Sequence, residues 1–229
     1  MAQQPHDMNR RASPPSNTEA TTGVVVRLDI PPDHHPAVLK GDGPGATLGR
    51  DALTGLYDAY GKINDTASKV QDKGRLAQAA QPFAERAVQQ AGRAVTTLRK
   101  QVEHLDTEIA STLKPTVEPG LAAQIRSHWS RTDKALSGLR KVIEEGDTAT
   151  ASAVLNAPAY LSGLSDKDQA ILRQMAAQKF APEKVAQRAE TADALARVER
   201  ATDHFMETIA GRLREWRDED AKIIEEALR

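Results

Sequence analysis

The chain has 229 residues, with 31 Lys and Arg against 32 Asp and Glu, a formal net charge of −1 and no cysteine. That balance excludes a bulk field drawing the chain onto nucleic acid or an anionic membrane, and the missing thiols exclude disulfides, thiolate metal ligands and cysteine nucleophiles together. Alanine accounts for 37 residues, while Trp, Tyr and Phe number only two, three and three, so closely packed Ala-rich helices are expected in place of a thick core of large side chains.

Residues 1–46 read as an N-terminal arm and linker. The first 22 are polar and without periodicity, a disordered composition. Val24 to Ile30, VVVRLDI, is the one strand signal, bounded by Gly23 and Pro31-Pro32; its Val24, Val25, Val26, Leu28 and Ile30 are candidate contact residues, because a lone strand needs a mate on another chain. Pro and Gly from about 31 to 46 predict an extended linker. Within it, Gly41 to Ala46, GDGPGA, fits the loose form of a dinucleotide fingerprint, but no strand leads into it and no Gly-Lys-Ser/Thr follows. Asp33, His34 and His35 are metal-ligand types, yet adjacent histidines in an extended segment point apart. No cofactor is expected. No apolar run approaches the roughly 18 residues of a membrane span, and no export signal follows Arg10-Arg11, so the chain is expected to be soluble and cytoplasmic or in a virion.

Residues 47–229 predict an all-α fold, an elongated bundle of long antiparallel helices with coiled-coil character, with helices at about 47–73, 82–113, 119–145, 147–156, 166–180 and 182–228. The second forms a rod. Val88, Ala91, Val95, Leu98, Val102, Leu105 and Ile109 alternate in steps of three and four, a heptad seam with β-branched residues at one core position and Ala or Leu at the other. Such a seam suits a parallel dimer, and antiparallel neighbours in one chain equally. Gly74 and Pro82 are expected to separate the first two helices, and the turn after Lys114-Pro115 to fold the third back along the rod. Asp147 and Ser165 read as helix caps. In the last helix Phe205, Ile209, Leu213, Trp216 and Ile223 are expected on the buried side. The expected order is an intrachain bundle first, then association of copies through the arm and the remaining long-helix surface.

Arg86, Arg93 and Lys100 lie seven apart on the rod and form a basic stripe that offers phosphate contact. No aromatics interleave with it, so a solvated face or attraction to the acidic end of the last helix is the expected reading, and nucleic acid is not an expected partner. His104, His128 and His204 each lack a second titratable residue at a defensible spacing, which argues against an enzyme.

Residues 144–182, EEGDTATASAVLNAPAYLSGLSDKDQAILRQMAAQKFAP, order a short Ala-Val-Leu helix, an Ala-Pro-x-x-Leu-Ser-Gly-Leu turn and a capped helix. This stretch resembles small helical proteins of tailed-phage and prophage structural modules, which implies a virion or head-associated structural protein whose partners are other protein subunits, copies of itself included. Two further classes fit the composition: a coat protein of lipid or polymer granules, similar to phasins, and a nucleic-acid-binding accessory using the basic stripe.

Overall fold

The computed structural model describes residues 30–114 and 116–229, and the described residues are helical, joined by short turns. Apart from Ile30, the strand expected at Val24–Ile30, with Val24, Val25, Val26 and Leu28, lies outside them. Three long helices make the body: α1 (Pro44–Lys69), α2 (Lys73–Thr112) and α7 (Pro182–Ala227). Four short helices intervene between α2 and α7: α3 (Pro119–Ser130), α4 (Ala135–Glu145), α5 (Thr148–Leu155) and α6 (Asp166–Phe180).

Contact order along the helices gives their directions. Lys73 meets Glu219, Arg99 meets Glu199 and Asp106 meets Arg188, so α7 runs antiparallel to α2. Gly49 lies against Ala194 and Tyr60 against Phe205, so α1 runs parallel to α7. Its connection to α2 is only three residues, Val70 to Asp72, which forces those two to be antiparallel. Alanines make the bundle tight: Ala52, Ala59, Ala80, Ala91, Ala194 and Ala201 are all buried, with Leu53, Ile63, Leu98, Val198 and Phe205 filling between them. Tyr60 and Phe205 pack edge to face with centroids 4.7 Å apart at mid-height, a favoured aromatic geometry.

The third helix does not fold back along the rod; residues 119–145 form two helices, broken at Arg131–Lys134, and α7 takes the third place in the bundle. Pro82 does not start α2 but sits inside it. The start moves back to Lys73 because Asp72 accepts from the Arg75 amide at 2.8 Å and the added turns bury Leu76, Ala77 and Ala80. That burial offsets the roughly 3 kcal/mol of an interior proline, and Pro82 faces solvent. Gly74 therefore lies in the first turn of α2 and stops nothing.

The linker expected at 31–46 is folded onto the bundle. Two 3₁₀ turns, Pro32–His34 and Pro36–Val38, lead to Leu39, which is 4% exposed and belongs to the core. α1 then begins at Pro44, earlier than expected, and Glu190 of α7 accepts from the Gly43 amide at 2.9 Å. A carboxylate at a helix N-terminus satisfies a free amide and opposes the helix dipole.

The short helices have a core of their own, with Leu139, Ile143, Val154, Leu155, Leu172 and Ala176 buried together against Leu113. α5 is the centre of it. Its last carbonyls, which no helical amide can reach, accept from side chains of neighbouring helices: Ala153 from Arg126 Nη1 at 3.0 Å and Leu155 from Arg173 Nη2 at 2.8 Å. Asn156 Nδ2 donates to the Leu113 carbonyl and so ties this unit to the end of α2. Asp147 caps α5 through the Thr150 amide and Ser165 caps α6 through the Asp168 amide, as the sequence implied. Gly146, at φ +87°, closes α4 in the left-handed conformation that glycine adopts without strain.

Candidate functional site

The heptad seam of α2 is an intrachain contact at one of its two core positions. Leu98 is fully buried and Leu105 nearly so, with Ala91 beside them. The β-branched position is less covered: Val88, Val95, Val102 and Ile109 are all half-buried. Two neighbours in the bundle, α1 and α7, draw the buried face of α2 toward Ala84, Ala87 and Ala94, rotating the valines to its margin. Asp106 is engaged by Arg188, which donates from Nε and Nη2 at 3.0 and 3.3 Å and whose own pKa rises in response.

Of the basic residues between Lys73 and Lys100, Lys73, Arg75 and Arg99 are paired with Glu219, Asp72 and Glu199. Arg86, Arg93 and Lys100 are exposed and have no ion pair among the described residues. Arg86 and Arg93 border a shallow polar groove between α1 and α2 that also carries Asp51, Asp58 and Gln90. Asp51 and Asp58 lie there among Lys62, Arg86 and Arg93, so a phosphate chain along the groove would meet charges of both signs.

The histidines of the former linker diverge. His34 packs edge to face on His204 at 5.1 Å, and His35 on Tyr57 at 5.2 Å. Burial and the neighbouring His204 hold the His34 imidazole below its ordinary range. No cluster of three metal-ligating side chains occurs among the described residues. The glycine-rich segment from Gly41 to Gly45 is occupied by its own chain: a Cβ at Gly41 or Gly43 would strike the Glu190 carboxylate.

Among the described residues, large apolar side chains are exposed at Tyr57, Leu121, Tyr160 and Leu161 and, in a row along one helix, on α7. Between α2 and α7, on the side away from α1, runs a groove lined by Ala84 and Val88 of α2 and by Phe205, Met206, Ile209 and Leu213 of α7. Met206 is 41% exposed. Further on, α7 outruns its neighbours. Its Glu219 pairs with the first residue of α2, Lys73, and every residue from 221 to 229 is exposed. Ile223 and Ile224 are 60% and 53% exposed and Leu228 is 83% exposed. Ile223 was expected on the buried side; the periodicity is right, but no helix stands opposite it. At 3.6 residues per turn, Ala221, Ile223, Ile224, Ala227 and Leu228 share one face and Glu219, Lys222, Glu225 and Glu226 the other, with Asp218 at the margin between them.

No protein-family model, no curated protein and no solved structure matches this chain. No described helix is long and apolar enough to cross a membrane.

Proposed function

We propose that this chain is a non-enzymatic assembly protein, a helical building block whose work is to bind other protein subunits, copies of itself included. One observation carries the reading: an apolar stripe, interrupted at Arg217, follows α7 from Met206 to Leu228, and all of it except the partly buried Leu213 is exposed. Contiguous exposed apolar surface on a water-soluble fold is the usual mark of a protein contact. A rigid body suits that role. α2 and α7, at 40 and 46 residues, are roughly 60 and 70 Å long at the helical rise, and ion pairs and an alanine-rich seam lock them together.

Light scattering on the full chain tests this reading, with a mass that is a multiple of 24.8 kDa expected. A monomer at every concentration that stays clear would refute self-association. The setting proposed is a tailed-phage virion, the assembly that residues 144–182 resemble. Portal and coat genes beside the coding sequence are the expected neighbours; polymer-synthase genes would point to a granule coat and replication genes to a nucleic-acid accessory.

A further inference from the structure

The exposed stripe on α7 is self-complementary. Its residues are Met206, Ala210, Leu213, Arg217, Ala221, Ile224 and Leu228, separated by four, three, four, four, three and four. Read from either end, the intervals are the same. For two helices packed antiparallel, this is the condition for a stripe to pair with a copy of itself, since knobs at steps of three and four must meet in reversed order.

We propose that two copies of this chain associate through α7, antiparallel, about a two-fold axis at Arg217, each laying residues 221–228 into the groove between α2 and α7 of the other. This rests on the assembly reading and specifies its partner and surface. In that register Met206 faces Leu228 of the second copy, Ala210 faces Ile224, and Leu213 faces Ala221. The lengths agree. Residues 221–228 span about 10.5 Å of helix, and the groove follows α7 from Phe205 to Leu213, about 12 Å.

Charges support the same register. Arg214 and Asp218 sit four apart on one flank of the stripe, both exposed and without an ion pair among the described residues. In a two-fold antiparallel pair each flank meets its own copy reversed, so Arg214 of each copy stands beside Asp218 of the other. Arg217, the one charge on the stripe, is drawn off the axis by donating from Nη2 to Gln81 Oε1 on α2 at 2.7 Å. A lipid surface is the poorer occupant: the polar face of the last turns carries Asp218, Glu219, Glu225 and Glu226 against Lys222 and Arg229, the reverse of the basic face that binds anionic headgroups.

The absence of cysteine makes single introduced cysteines clean reporters. Arg217→Cys, on the axis, is expected to oxidise to a disulfide-linked dimer, whereas Lys222→Cys, on the opposite face of the same turns, remains unlinked. Ile224→Asp, at a site already exposed in the single chain, is expected to keep its helicity and raise the dimer dissociation constant about tenfold or more. An oligomer in which Arg217→Cys links no faster than Lys222→Cys overturns this register and leaves the assembly reading standing. A chain that is monomeric at all concentrations overturns both. Monomeric chain that binds phosphatidylcholine–phosphatidylglycerol vesicles, and loses that binding with Ile224→Asp, assigns the stripe to a lipid surface and also overturns the proposal.

Discussion

Gly45 of α1 lies against Thr191 of α7 so closely that a Cβ added to the glycine would stand 2.9 Å from the Thr191 Cα. Backbone on one side and backbone on the other leave nothing flexible to give way. Gly45→Ala is therefore expected to separate the start of α1 from α7 and lower stability by about 1–3 kcal/mol, the range for overpacking. Gly92 in α2 is the control, because a Cβ there meets nothing within 4 Å. Gly92→Ala should raise stability by roughly 0.5–1 kcal/mol. Urea unfolding of the two variants checks both signs.

Leu39 shows whether the segment before α1 is part of the fold. A solvated linker residue changes stability by no more than about 0.5 kcal/mol on substitution. Buried as it is against Gly49 and the bundle core, Leu39→Ala should cost about 2–5 kcal/mol. A cost near zero in urea unfolding would return residues 31–43 to the status of a linker.

His34 ties stability to pH. Burial, then the charge of His204, lowers its pKa; Asp33 opposes this and Arg200 adds to it. The unfolded chain takes up the proton first as pH falls below about 6.5, so His34 contributes stability fully above that value and loses it on acidification. Arg197 and Arg200, which border the same depression, oppose a charged imidazole there. NMR titration should place the His34 imidazole below about 6.5, and the stability difference between the native chain and His34→Asn should shrink from about pH 8 to 5. A difference that grows on acidification contradicts the assignment.

The basic stripe is expected to do little for nucleic acid. Reversing charge at Arg86, Arg93 and Lys100 should leave DNA affinity negligible, as in the native chain. Binding by the native chain tighter than about 10⁻⁴ to 10⁻⁶ M at physiological salt would contradict this.

Periodicity in the sequence marks the inward-turning residues over much of α1 and at one core position of α2. Ala52, Leu56, Ala59 and Ile63 of α1 and Leu98 and Leu105 of α2 are buried, and the caps at Asp147 and Ser165 form. What periodicity does not carry is the identity of the neighbour. Val88, Val95, Val102 and Ile109 satisfy a two-stranded seam, but with two neighbours in the bundle the small residues Ala84, Ala87 and Ala94 take the contact. Break signals mislead for a related reason. Pro82 and Gly74 carry local costs of about 3 and 1 kcal/mol, small beside the burial that continues the helix through both.

The α7 stripe was hidden in the sequence because exposure there depends on an offset between helices. Ile223 has the spacing of a core residue. It is uncovered because the turn at Val70–Asp72 sets where α2 begins, and α2 begins level with Glu219. The difference in helix length was a usable signal, but only once α2 and α7 were known to be neighbours.

Far-UV circular dichroism of Leu98→Asp tests the intrachain bundle most directly. Leu98 is fully buried in the cluster that holds Ala194 and Val198, and an unpaired buried carboxylate costs several kcal/mol of a stability of about 5–15 kcal/mol. The predicted result is loss of helicity and of a cooperative melt, while Ile224→Asp melts as the native monomer does. A well-folded Leu98→Asp monomer with undiminished helicity would show that this face of α2 is not covered by the chain's own α7.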